Sequence, residues 1–289
     1  MATMSVLFGV SFVATKVGLE GFTPAQLIFL RFTFAAGLFF AFSPWFKVAA
    51  LNRTGYLQIL AMAFLEPGLY FFLEALGIQR TLASTAAILI NTIPLFVLML
   101  EAVWLKVPVV AHEVVLVLVS LLGVCFLVLA GGIPKALGGS LLGNLLILGA
   151  ALSASLYTLI ARRLLSRYSV LAVTRLQALY ASLIYLPFAA WDWWSKGLTP
   201  VSGRALGAML YLGAGCSFLA YWLLNYSLSK VKASHVAAFT NVIPVVGTAL
   251  AVLFLHEVLY PLQILGAILV IGSVALINVK GKRESAVQG

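Results

Sequence analysis

A chain of 289 residues that is 63% hydrophobic and 9% charged lies far from soluble composition, where about half the residues are apolar and about a quarter charged. Its mean hydropathy of +1.11 agrees, and its formal net charge of +10 sits mostly between apolar runs, which points to orientation in a bilayer rather than to nucleic acid. Cys125 and Cys216, its two cysteines, both fall inside apolar runs and so argue against a disulfide framework or a thiolate metal centre.

Runs of about 20 apolar residues, each long enough to cross a ~30 Å hydrocarbon layer, are read along the chain at about 3–19, 24–43, 55–77, 82–100, 110–130, 140–161, 170–190, 204–228, 234–254 and 260–279. The opening MATMSVLFGVSF lacks the basic region and small-residue cleavage site of a signal peptide and reads as the first span. Short breaks with turn chemistry separate the spans, as at Gly21 to Pro24, Ser43-Pro44, Gly131 to Pro134 and Ser195 to Pro200. Trp191, Trp193 and Trp194 cluster at one such boundary and read as interface anchors.

With the first span entering from the cytoplasm, the inner segments carry Lys47, Arg53, Lys106, Arg162, Arg163, Arg167, Lys230, Lys232, Lys280, Lys282 and Arg283, and the outer ones only Arg80, Lys135, Lys196 and Arg204. The positive-inside bias therefore places both termini in the cytoplasm of a multi-pass inner-membrane protein.

The chain repeats itself. Ala83 to Pro94 (ASTAAILINTIP) returns as Ala233 to Pro244 (ASHVAAFTNVIP) with six identities, and LIFLRF at Leu27 to Phe32 aligns with LAVTRL at Leu171 to Leu176, pairing Arg31 with Arg175. Five spans per copy is an odd number, so the second copy enters the membrane upside down. The expected fold is an all-α membrane protein of ten transmembrane helices, arranged as two inverted five-helix repeats over 1–134 and 135–289.

Ionisable groups within a bilayer are costly and are functional candidates by default. Here they are Lys16, Glu20, Arg31, Glu66, Glu74 and Arg175. In the third span Glu66, Tyr70 and Glu74 recur every fourth residue, which predicts one polar helix face turned to a cavity. Glu74 shares the outer depth with Lys16 and Arg31, and the three can neutralise one another as ion-pair or coupling residues. Glu66 lies near the midplane, where a carboxylate can exchange a proton or anchor a substrate amine; the alternative is a packing role beside Pro67, tied to Arg31. The matching span of the second copy has no acid but carries Ser217, Tyr221 and Asn225 at the same spacing, with Trp222 and Tyr226 adjacent. Together with Tyr157 in the sixth span they predict an aromatic and amide wall facing an ionisable one, suited to a small zwitterion or an aromatic metabolite. Asn91 and Asn241 each precede a proline by three residues, so a kink is expected near each, with the amide either satisfying the freed carbonyl or touching substrate. His112, His235 and His256 are scattered and read as loop or helix-end residues.

The segments FGVSFVATK (Phe8 to Lys16), LRF (Leu30 to Phe32), ALGIQRTLASTAAILINTIPLF (Ala75 to Phe96) and SLSKVKASHVAAFTNVIPVVG (Ser227 to Gly247), with LHE at Leu255 to Glu257, resemble the EamA-type drug/metabolite transporter superfamily along essentially the whole chain. One departure stands out: the first copy has Leu105, Lys106 and Val107 where the second has Leu255, His256 and Glu257. The resemblance implies a cavity built mainly from spans 1, 3, 4, 6, 8 and 9, spans 5 and 10 at the periphery, and secondary export of small metabolites by alternating access, with amino acids the favoured class and drugs or nucleotide sugars the alternative. Neither a cofactor nor a metal is implied. The expected partners are a small-molecule substrate and the lipid bilayer, with protons as a candidate coupling ion; coupling and oligomeric state stay open at this stage. An intramembrane enzyme is the rival from another class, and the chain holds no His-Glu-x-x-His, paired Asp, Cys/His cluster or Gly-x-Ser-x-Gly to support it.

Overall fold

The computed structural model describes residues 1–43, 51–78, 80, 89–104, 106, 110–129, 140–197, 200–246, 249 and 261–287. Over these residues the chain is helical, with no strand. The elements are α1 (Ala2–Gly18), α2 (Pro24–Phe42), α3 (Arg53–Ala63), α4 (Tyr70–Ile78), α5 (Ile93–Trp104), α6 (Ala111–Leu129), α7 (Leu141–Leu165), α8 (Val170–Lys196), α9 (Gly203–Tyr211), α10 (Tyr221–Lys230), α11 (Ala233–Thr240) and α12 (Pro261–Val287). A kinked segment, Phe64–Leu69, joins α3 to α4, and a wide π-type segment, Leu212–Ala220, joins α9 to α10. Among the described residues, the stretches Pro24–Phe42, Arg53–Gly77, Leu141–Leu165, Val170–Ser195 and Gly203–Lys230 are each long and apolar enough to cross a membrane. This is an all-α membrane protein.

Local chemistry sets where the helices begin. Thr23 accepts from the Gln26 backbone N–H while the Gln26 side chain accepts from the Thr23 N–H, a reciprocal cap with Pro24 at the first helical position, where its missing donor costs nothing. Asn52, Ser169 and Ser202 cap α3, α8 and α9 in the same sense.

The chain forms two compact units, Met1–Gly68 with Ile160–Lys230 and Leu69–Leu159 with Val231–Gly289. Each draws on both halves of the sequence. The proposed junction between the copies, Pro134 and Lys135, lies outside the described residues.

In the first unit α2 packs along α8, which occupies the equivalent place in the second copy. Their contacts run in opposite order: Thr23 at the start of α2 donates to Asp192 near the end of α8, Thr33 meets Ser182 at 2.6 Å, and Ser43 at the end of α2 accepts from Arg175 near the start of α8 at 3.0 Å. Equivalent spans are therefore antiparallel, as an inverted repeat demands. The π-type segment Leu212–Ala220 also lies on α2, and Gly213 permits the approach: a Cβ there would stand 2.7 Å from the Phe34 ring.

In the second unit α6 packs on α12, again equivalent spans. Gly123 brings them close enough that an added Cβ would meet the Gly266 carbonyl oxygen at 2.7 Å, and Val117, Val124, Val270 and Val274 fill the seam with Leu98 of α5 and Ala238 of α11.

One expectation needs correcting. The third span is not a single regular helix, so Glu66, Tyr70 and Glu74 do not form a continuous stripe. Glu66 is extended (φ −144, ψ 120) because the following Pro67 lacks an N–H and disfavours helical backbone in the residue before it. Tyr70 and Glu74, beyond the break, remain one turn apart on α4 with the hydroxyl donating to the carboxylate at 3.0 Å.

Candidate functional site

The break at Glu66 exposes backbone carbonyls that a continuous helix would have satisfied, and α8 supplies the donors. Gln177 Nε2 donates to the Glu66 carbonyl at 3.3 Å, and the Tyr185 hydroxyl donates to the Gly68 carbonyl at 3.0 Å. The amide of Gln177 is itself oriented: Asn225 Nδ2 donates to its Oε1 at 3.0 Å and to Thr174 Oγ1 at 2.9 Å. Asn225, Gln177 and Thr174 are all buried. In this way Glu66 is held off the helix axis by a chain of side chains from α8 and α10.

Its carboxylate accepts from the Tyr221 hydroxyl at 3.1 Å. Tyr221 is buried, with Phe8 and Phe32 edge-on to its ring at 5.7 and 5.6 Å. One turn earlier in the same span, Ser217 accepts from Arg31 Nε at 2.8 Å, and the guanidinium lies 5.4 Å from the centre of the Phe32 ring. The three polar residues that recur every fourth position in the eighth span thus each hold a different element: Ser217 holds Arg31 of α2, Tyr221 holds Glu66 of the third span, and Asn225 holds Thr174 and Gln177 of α8. The site gathers an acid, a cation and three aromatic rings within the first unit.

Within the first unit one expected residue, Trp222, does not join it. Trp222 stacks on Tyr226 on an exposed face of α10, because it sits about 100° around the helix from Tyr221. Tyr157 is fully buried in α7 within the second unit. Asn91 and Asn241 fall at interruptions of their helices, where the kinks were expected. Rather than capping a freed carbonyl, Asn241 Nδ2 donates to Ser120 of α6 at 2.9 Å. The backbone of Lys16 lies in α1, but its side chain is outside the described residues, as are Leu255, His256 and Glu257.

The second unit carries a polar cluster that the sequence reading overlooked. Glu101, near the end of α5, accepts from the backbone N–H groups of Ala233 and Ser234 at 3.0 and 3.3 Å, capping α11, whose own N-cap residue, Lys232, makes no side-chain cap. Beside it Glu113 of α6 meets His235 Nε2 at 3.2 Å and Lys232 Nζ at 3.5 Å. His235 is therefore a buried, bonded helix-end residue. The visible clue was Glu113 itself, an acid inside an expected span. Its partners stand about 120 residues away, at a distance that spacing rules do not reach.

Comparison with known proteins decides the family. The EamA-like transporter family model matches this chain twice, over residues 1–129 and 141–279. The chain belongs to the EamA-like transporter family. Family membership makes it a transporter rather than an enzyme, and its two matches are the two repeats of the fold. An uncharacterized transporter of Bacillus subtilis, YcxC, is 27% identical over 97% of this chain and 92% of its own length. An Escherichia coli protein named as a probable amino-acid metabolite efflux pump is 28% identical, covering 96% of this chain and 93% of its own. A probable terminal-alkyne amino-acid exporter of Streptantibioticus cattleyicolor is 27% identical, with coverage of 97% and 93%. A solved crystal structure superposes with a TM-score of 0.80 at 19% identity, over 97% of this EamA-like chain and 96% of the other, a likeness of fold.

Proposed function

We propose that this EamA-like protein exports amino acids or closely related small metabolites across the cytoplasmic membrane by alternating access, and that Glu66 is its central binding or coupling residue. The observation that carries the reading is the Tyr221 to Glu66 hydrogen bond: an ionisable carboxylate at a broken span, joined across the repeats to an aromatic wall. A break in a membrane helix is tolerated where it is buried in protein or lines a cavity. Two copies of opposed orientation give inward-open and outward-open states of similar energy, so one site can face either side in turn. The names of two relatives, an efflux pump for amino-acid metabolites and an amino-acid exporter, support the substrate class and the direction. The positive-inside bias supports cytoplasmic termini, and 1–134 and 135–289 are retained as the two repeats.

The test is reconstitution of the full chain into liposomes and measurement of saturable counterflow with amino acids, cationic drugs and nucleotide sugars. Saturable exchange of amino acids that Glu66→Gln abolishes, or strips of its pH dependence, supports the reading. Transport and pH profile unchanged in Glu66→Gln remove Glu66 from the mechanism, and exchange confined to drugs or nucleotide sugars replaces the substrate class.

A further inference from the structure

We infer that Arg175 marks a binding site for one anionic phospholipid, whose headgroup phosphate the guanidinium grips between the end of α2 and the start of α8. Every residue involved belongs to the first unit. The site lies apart from Glu66 and does not depend on what the protein carries.

Arg31 and Arg175 hold the same place in the two copies, yet their surroundings differ. Arg31 is buried and its Nε donates to Ser217, whereas the buried Nε of Arg175 has no acceptor. Among the described residues, Arg175 is met by the Ser43 hydroxyl, which accepts from Nη1 at 3.0 Å, and by the Phe40 ring, 5.0 Å from the guanidinium to its centre. Phe40 and Ser43 are three residues apart on the last turn of α2 and share one face. Neither is charged, and the carbonyl end of α2 adds only about half a negative charge, so the cation is left without full compensation. The described acids of this unit stand elsewhere: Glu20 and Asp192 at the opposite end of the α2 and α8 pair, and Glu66 at the broken span. Other cations gather at the Arg175 end instead. Tyr168 donates to Asn52 and so ties the turn before α8, with Arg167, to the start of α3 and its Arg53. Arg162, next to Arg163, donates to the Leu228 carbonyl, close to Lys230 at the end of α10. These are ends of membrane-crossing stretches, the depth at which lipid phosphates lie. Side chains of a helix lean toward its N-terminus, so Arg175 reaches along α8 toward that surface and keeps part of its own surface accessible. A phosphate is the anion a guanidinium binds best, by two parallel N–H groups. Phe40 and Phe42 are exposed beside it, apolar rings that suit acyl chains and give a free phosphate nothing to bind. A choline or ethanolamine headgroup would bring its own positive charge among these cations, which selects an anionic lipid.

Native mass spectrometry of the full chain in detergent, titrated with dioleoyl phosphatidylglycerol or dioleoyl phosphatidylcholine, reads the binding directly. The first phosphatidylglycerol is expected to bind about tenfold more tightly than the first phosphatidylcholine, the size of one charge-assisted contact. Arg175→Gln is expected to remove that preference. Arg167→Gln, which takes a cation from the rim, is expected to weaken it by about twofold, and Arg204→Gln, at the other end of the unit, to leave it unchanged. A phosphatidylglycerol with a photoreactive group beside its phosphate is expected to label the last turn of α2 or the first turns of α8 in the unaltered chain, which decides the matter if Arg175→Gln does not fold. Inorganic phosphate and glycerophosphoglycerol, added in excess, are expected to displace none of the bound lipid. Equal affinity for the two lipids, equal losses in Arg175→Gln and Arg167→Gln, or labelling confined to other helices would overturn the site. Displacement by the soluble phosphates would make it a site for a free anion and overturn the lipid assignment. Binding is read without transport, so none of these results bears on the export reading.

Discussion

Thr33 and Ser182 meet hydroxyl to hydroxyl at 2.6 Å, halfway along two helices that occupy the same place in the two copies of the sequence. Contacts on either side of that midpoint, Thr23 with Asp192 and Ser43 with Arg175, fix the pair as antiparallel. Polar contacts this close between membrane helices also oppose sliding, since any shift leaves hydroxyls facing hydrocarbon.

Crosslinking checks that register. In a background lacking Cys125 and Cys216, Thr33→Cys with Ser182→Cys should form a disulfide under mild oxidation. Thr33→Cys with Asp192→Cys should not, because the second site is ten residues, or about 15 Å, further along α8. Crosslinking of the second pair and not the first would show a different packing of the repeats.

Gln177 joins Glu66 to Asn225, so its replacement tests how firmly the break is held. Gln177→Leu leaves the Glu66 carbonyl and the Asn225 amide each short of a partner and is expected to cost about 1–2 kcal/mol, between the mean for membrane hydrogen bonds and that for a buried unsatisfied group. Thermal unfolding in detergent measures it, and an unchanged midpoint would mean that other groups take over.

Glu101 caps a helix in another part of the sequence. Removing both acceptor oxygens in Glu101→Ala should destabilise the protein by about 2 kcal/mol, and Glu101→Gln, which retains one acceptor but no charge, by about half of that. Equal losses for the two variants would show that charge alone matters.

Gly123 sets the approach of α6 to α12. Gly123→Ala places a methyl group 2.7 Å from the Gly266 carbonyl oxygen and 2.9 Å from Val270 Cγ2, which backbone cannot relieve without the helices separating. A loss of about 1–3 kcal/mol is expected, as for other overpacked interiors. Gly37, whose added Cβ would meet nothing within 4 Å, provides the control: Gly37→Ala should be neutral or slightly stabilising.

Much of the site was legible because polar residues are expensive in a bilayer and so stand out in an oily sequence. Glu66 and Arg31 were found that way, and Ser217, Tyr221 and Asn225 because they repeat in the other copy the four-residue spacing of Glu66, Tyr70 and Glu74. Gln177 and Thr174 were not, since a lone amide or hydroxyl within a span has no spacing that marks its partner. Trp222 was placed with Tyr221 from adjacency alone, and the 100° step of a helix turned it onto another face. The stripe through Glu66, Tyr70 and Glu74 required an unbroken helix, and Pro67 breaks it.

Composition, span length and internal repetition determined by themselves that this chain lies in a membrane as a doubled helical protein, because hydrophobic length and loop charge act locally and can be read residue by residue. Which carboxylate meets which hydroxyl was decided only by the tertiary structure. The pairs between the copies, Thr23 with Asp192 and Tyr221 with Glu66, join residues more than a hundred positions apart, and their meeting depends on helix rotation and on how closely glycines let the spans approach.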